Sequence, residues 1–185
     1  MSLQLILGPM FAGKSSELLG TVRKYEAVGW PVLVLTHAID TRYTENPAIV
    51  SHDAERHPAI ATSALEDVFT IENPLFANAK LIIIEEAQFF NRLKQNVLLA
   101  VEEYGKDVIC VGLDGDAQRQ PFGQLLELIP YCDSVVKKHA FCRRCRVPTP
   151  ALFTYRVVQE EGQVLVGGAD KYEPLCRKHY LHYGA

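Results

Sequence analysis

At 185 residues, 48% of them hydrophobic, the chain has material for one well-buried domain and a small appendage. A formal net charge of −3 gives no basic footprint for broad nucleic-acid or anionic-membrane binding, and no apolar run approaches the roughly 20 residues of a membrane span. No basic stretch followed by a long apolar one marks a signal peptide. Five cysteines are few for a secreted disulfide framework of this size, so a reducing, cytoplasmic setting is expected.

In chain order, Leu3 to Leu7 reads as a short buried strand that runs into a glycine loop. Leu18, Leu19, Val22 and Tyr25 recur at helical spacing, which predicts a helix from Ser15 to about Val28, stopped by Gly29. Pro31 to Thr36 is a second buried strand, and His37 to Ser63 reads as polar and irregular. Ser63-Ala-Leu-Glu66 has the form of a capping box for a short helix. Leu81 to Ile84 is the most apolar strand; a helix over Arg92–Tyr104 and a strand over Val108–Leu113 follow. After the loop Asp114–Gly123 come a helix from about Gln124 to Ile129 and a last strand over Ser134–Lys138. Continuous apolar strands alternating with helices predict an α/β fold, a parallel sheet covered by helices on both faces. Composition changes after His139, where cysteine, arginine and proline cluster, so the expected division is a unit of residues 1–140 and a smaller one of 141–185.

Gly8-Pro-Met-Phe-Ala-Gly13-Lys14-Ser15 matches the phosphate-loop pattern G-x-x-x-x-G-K-[ST], between a strand and a helix start. Such a loop turns backbone amides inward around phosphate oxygens, and the helix N-terminus adds partial positive charge. Gly8, Pro9, Met10, Phe11, Ala12, Gly13, Lys14 and Ser15 are therefore the expected ATP cradle, with Lys14 on the β and γ phosphates and the Ser15 hydroxyl on Mg²⁺. The competing reading is an accidental glycine-rich turn. Glu85 and Glu86 follow the apolar strand, where a carboxylate faces the metal across the phosphates. Glu85 is assigned to Mg²⁺ through a water, and Glu86 to the attacking group, whose proton it would take. Two solvated acids capping the next helix are the plainer reading. A kinase and a water-activating hydrolase both fit at this point.

Cys142-Arg-Arg-Cys145 and Cys176-Arg-Lys-His179 are two pairs with zinc-ligand spacing, three thiolates and one imidazole. Four protein ligands leave no open position, so the Zn²⁺ would be structural and would staple the ends of a long loop. An unligated thiol cluster is the alternative for the site. Lys137, Lys138, Arg143, Arg144 and Arg146 nearby leave open a zinc ribbon that grips nucleic acid, in a nucleic-acid-dependent P-loop ATPase. Cys110 and Cys132 lie outside the pairs and read as packing residues.

Taken together, GPMFAGKSSEL (8–18), DTRY (40–43), IIEEAQFF (83–90), GLDGDAQRQPFG (112–123), CRRC (142–145) and VLVGGADKYEPLCRKHY (164–180) resemble the cellular, zinc-containing (type II) thymidine kinases, in family order and over almost the entire chain. The resemblance implies transfer of the ATP γ-phosphoryl to the 5′-hydroxyl of thymidine with Mg²⁺, in nucleotide salvage and DNA precursor synthesis. It sets Glu86 on the general-base position, Asp40 and Arg42 around phosphates and metal, and Gln88 in the donor segment. It makes the loop between the zinc pairs a lasso over the base. Backbone groups of Gln163, Val164, Leu165, Val166 and Gly167 would face the thymine edge, and Tyr172 would lie against the nucleoside. Met10, Phe89, Leu113, Ala117, Phe122 and Thr154 fall on the base pocket, although the apolar ones would otherwise read as core. A homotetramer and inhibition by thymidine triphosphate are implied in the same way, while the expectation of no nucleic-acid or membrane partner comes from the charge and the lack of a long apolar run. Three positions depart from the pattern: Glu85 replaces a more usual aspartate, Ala117 a common phenylalanine, and His179 a fourth cysteine.

Overall fold

The computed structural model describes residues 1–40, 48–50, 56–160 and 162–183. In chain order these form β1 (Ser2–Leu7), α1 (Lys14–Ala27), β2 (Val32–His37), β3 (Ala48–Val50), β4 (Arg56–Pro58), β5 (Ile60–Thr62), α2 (Pro74–Asn78), β6 (Leu81–Ile84), α3 (Leu93–Leu98), β7 (Asp107–Gly112) and β8 (Ser134–Lys137). Six of these strands make a parallel sheet in the order β5-β2-β6-β7-β1-β8. Strand alternation divides the sheet's residues between two cores. Leu3, Leu5, Leu7, Ile82, Ile84 and Val108 pack with Leu93 and Val97 of α3, while Ile6, Val34, Ile83, Ile109 and Val111 pack with Leu18, Leu19 and Val22 of α1. All four residues of β6 are fully buried, each isoleucine contributing on the order of 2 kcal/mol. The α/β fold with a parallel, two-faced sheet is as the alternation of elements predicts.

Three local expectations differ from the structure. The region after His37, read as irregular, supplies the edge strand β5 and the β3–β4 hairpin. Ser63 caps nothing: the short 3-10 turn Leu65–Asp67 has Ala64 at its N-cap without a side-chain bond, and the Thr62 hydroxyl holds that residue at both ends. The segment after Gln124 winds as a 3-10 helix, Leu125–Tyr131, with Pro130 inside it. Proline has no amide hydrogen to donate and crowds the preceding turn, which disfavours the α form.

Residues 140–183 form two small antiparallel ladders, β9 (Ala140–Phe141) with β10 (Pro150–Ala151) and β11 (Phe153–Arg156) with β12 (Tyr172–Leu175), then α4 (Arg177–Tyr183). Their core is Ala140, Cys142, Ala151, Leu175, Cys176 and Tyr180, joined by Ala12 of the glycine loop. The small unit is thus packed against the loop at the end of β1. No helix among the described residues is long and apolar enough to cross a membrane.

Candidate active site

The loops that follow β1, β2, β6 and β7 all emerge at the carboxyl edge of the sheet, where ligands of open parallel sheets bind. Gly8 opens the first with φ 148°, and a Cβ there would sit 2.6 Å from the Lys138 carbonyl oxygen, so glycine is required. The Lys14 ammonium donates to the carbonyls of Gly8 (3.0 Å) and Pro9 (2.8 Å), folded over the loop it would serve. One residue on, the Ser15 hydroxyl donates to Glu85 Oε1 at 2.6 Å. β7 lies between β1 and β6, the strands that lead to this pair, and Glu85 is buried. A hydroxyl and a carboxylate brought together in this way are the donor set that suits a Mg²⁺ ion shared with phosphate oxygens.

Glu86 has φ 53° and ψ 38°, a left-handed backbone that is uncommon outside glycine and costs on the order of 1–3 kcal/mol. That turn sends two consecutive carboxylates to different partners. Buried Gln88 orients the second: its Nε2 donates to Glu86 Oε2 at 2.6 Å, and its Oε1 accepts from the Leu113 amide at 3.1 Å. The arrangement needs Gly112, since a Cβ there would collide with Gln88 Oε1 and Leu125 Cδ2. Gln88, expected in the donor segment, lines the site and also holds the acid of Glu86 in place.

These groups open on one cleft of about 380 Å³, within the range of small-molecule sites. Met10, Phe11, Ala12, Gly13, Lys14, Ser15, Asp40, Glu85, Glu86 and Gln88 line it on the sheet side. Phe89, Leu113, Ala117 and Phe122 also line it, as do Thr154, Gln163, Leu165, Val166, Gly167 and Tyr172 of the small unit. Phe89 and Phe122 meet edge to face at 5.4 Å between centroids. Gly8, Pro9 and Val164 lie outside the lining, Val164 43% exposed. Arg42 falls outside the described residues. Asp116, Arg143 and Arg156 also line the cleft and were not singled out in the sequence for it. Asp116 was within reach, as the buried acid of the Asp114–Gly123 loop, but nothing in local spacing points its carboxylate inward.

The loop over the cleft is held from its own base. Arg156 donates from Nη1 to the carbonyls of Glu160 and Gly162 (both 2.8 Å) and from Nη2 to that of Gln163 (3.1 Å). The Tyr172 hydroxyl donates to the Leu165 carbonyl at 2.7 Å. Two further bonds tie the small unit to the sheet unit: the Met10 amide to Thr154 Oγ1 (3.0 Å) and the Tyr180 hydroxyl to the Ala117 carbonyl (2.5 Å).

Cys142, Cys145, Cys176 and His179 bring three Sγ and one Nδ1 within 4.8 Å of one another. The sulfurs of Cys142, Cys145 and Cys176 each stand 3.4 Å from His179 Nδ1, and those of Cys145 and Cys176 are 3.8 Å apart. The edges of a tetrahedron built on Zn–S and Zn–N bonds of about 2.3 and 2.0 Å are about 3.5–3.8 Å, so the four residues fit a zinc ion. Burial disfavours the Cys142 thiolate, but backbone hydrogen bonds from Cys176 and Arg144, with His179 and Cys176 side chains adding to them, bring its pKa down to about 6.

Residues 1–180 match the thymidine kinase family. The chain belongs to that family. Its relatives include the cytosolic thymidine kinase of Homo sapiens, 39% identical over 97% of this chain and 73% of that protein, and thymidine kinase a of Arabidopsis thaliana, 40% identical over 97% and 75%. The thymidine kinase of Myxoma virus (strain Uriarra) is 37% identical, covering 97% of this chain and 96% of its own. Within this thymidine kinase fold the three departures have defined places. Glu85 reaches the Ser15 hydroxyl directly, Ala117 faces the cleft with its carbonyl tied to Tyr180, and His179 presents Nδ1 to all three thiols.

Proposed function

We propose that this protein transfers the γ-phosphoryl group of ATP to the 5′-hydroxyl of thymidine, giving thymidine monophosphate. The observation that carries the reading is the joint one: membership of the thymidine kinase family over residues 1–180, with Lys14, the Ser15–Glu85 pair and Glu86 all opening on the cleft that Phe89 and Phe122 share. The glycine loop and Lys14 hold the triphosphate and neutralise charge on it as the phosphoryl group departs. Ser15 and, through a water, Glu85 would hold Mg²⁺, which would supply charge neutralisation on the triphosphate. Glu86 accepts the proton of the 5′-hydroxyl, with Gln88 fixing the direction of its carboxylate. The segment 162–168 closes the base side and excludes water, which would otherwise take the phosphoryl group. Its carbonyls and amides read the pyrimidine edge, and Met10, Leu113, Ala117 and Thr154 flank the ring.

The same reading extends to the rest of the molecule. Residues 1–140 are the ATP-binding unit and 141–185 a lasso unit stapled by structural Zn²⁺ through Cys142, Cys145, Cys176 and His179. Asp40 and Arg42 work around the phosphates. Deoxyuridine is an alternative acceptor, thymidine triphosphate the feedback inhibitor, and the working form a cytoplasmic homotetramer. A nucleic-acid-dependent ATPase is not favoured, since the relatives are named thymidine kinases. The deciding experiment measures ADP release from ATP with and without thymidine. Release that depends on thymidine, with thymidine monophosphate appearing in equal amount, is expected; equal release in both overturns the reading.

A further inference from the structure

The hydrogen bonds that the described residues show between the segment 162–168 and the sheet unit both come from one side chain. Gln163 Nε2 donates to Asp116 Oδ2 at 2.8 Å and to the Pro121 carbonyl at 3.3 Å. The other hydrogen bonds that the described residues show on this segment, from Arg156, the Tyr172 hydroxyl and the turn Gly168–Tyr172, lie within the small unit itself. Asp116 is suited to receive the contact. It is 7% exposed, and its other oxygen accepts from the amides of Gln118 (2.9 Å) and Gln120 (2.8 Å), so the carboxylate is locked within its own loop before Gln163 arrives. Both residues line the cleft.

We propose that Gln163 and Asp116 form a latch that holds the segment 162–168 closed over the acceptor, and that they are positioning residues for thymidine. The proposal rests on the thymidine kinase reading above and deepens it. A latch between two protein groups acts through the population of the closed form. When it is removed, the apparent affinity for the ligand that needs closure falls in proportion to the closed fraction, while the chemistry within each closed complex is untouched. ATP, cradled on the opposite side of the cleft by the β1 loop, does not need the latch.

The test is steady-state kinetics of the full-length, zinc-loaded protein, with the wild-type chain alongside; thymidine-dependent turnover by the wild type tests the kinase reading by itself. Gln163→Ala is expected to raise KM for thymidine about tenfold, as fits loss of a hydrogen bond to a carboxylate, with KM for ATP and kcat little changed. Gln163→Glu faces one carboxylate with another and is expected to do worse. Asp116→Asn in the same chain as Gln163→Glu then restores the bond with donor and acceptor exchanged, because an asparagine still accepts from Gln118 and Gln120 through one atom and donates through the other. Recovery of KM for thymidine in that double variant supports the latch. An unchanged KM in Gln163→Ala, or a double variant as impaired as Gln163→Glu alone, overturns it. Amide exchange over 162–168 gives a second reading that needs no turnover: faster exchange in Gln163→Ala supports the latch, and an unchanged rate overturns it.

Discussion

β6 runs between β2 and β7 with all four residues fully buried, so the acids at its end take their position from apolar packing on both faces of the sheet. Across the cleft the small unit has two short two-stranded ladders, which are marginal by themselves, and a core that includes two of the proposed zinc ligands and one alanine borrowed from the glycine loop. The proposed donor side is therefore positioned by the fold, whereas the proposed acceptor side would be positioned by the zinc its four ligands fit and by a few polar ties to the donor side. Each region should fail in its own way when disturbed.

The largest effect is expected on the rigid side. Glu86→Gln should lower kcat by about 100- to 10,000-fold, the usual range for a general base. ATP affinity, measured by equilibrium binding, should stay near the wild-type value. Near-normal turnover would remove Glu86 from the reaction. Next comes the metal. Cys142→Ser should take the zinc content from about one per chain towards zero and raise KM for thymidine well above any change in KM for ATP. Thiol labelling sharpens this. In the zinc-loaded protein the partly exposed Cys132 should react, and chelation should add Cys142, Cys145 and Cys176. Cys110 should stay unlabelled until the sheet unfolds, because burial pushes its thiol pKa up.

A smaller loss is expected from Gln88→Ala, which leaves the Glu86 acid in place but without its orienting amide. A fall in kcat of about ten- to a hundredfold with unchanged KM values fits a misdirected base. The mildest variant touches the seam. Thr154→Val removes the acceptor of the Met10 amide and should reduce stability by about 1–2 kcal/mol in denaturant titration. An effect as large as that of Glu86→Gln on kcat would mean that the seam, and not the sheet, sets the geometry of the donor side.

Much of this was legible in the sequence for physical reasons. A glycine loop and its neighbouring acids are fixed by backbone mechanics, so their spacing survives as a pattern, and four residues at zinc-ligand spacing in two pairs do the same. The short strands were not legible. Ile60–Thr62 has three residues and no alternation long enough to register, and becomes a strand only because β2 offers it a partner. Ser63 and Glu66 carry the right letters for a capping box, but the Thr62 hydroxyl reaches the backbone first. The arrangement around Glu86 was partly legible: its place after β6 follows from position, while its left-handed backbone and dependence on Gly112 follow from packing between β6 and β7. The bond from Gln163 to Asp116 spans 47 positions and leaves no trace in either local segment.

Ala12 packs with Tyr180, and the Met10 amide is held by Thr154, so the proposed nucleotide cradle at residues 8–15 is backed by side chains made some 140 to 170 positions later. At ordinary rates of synthesis that interval is on the order of ten seconds. During it a nascent chain carries the glycine loop without the contacts that Thr154 and Tyr180 supply. Competence of the proposed cradle to bind nucleotide would therefore follow the synthesis of Thr154 and Tyr180.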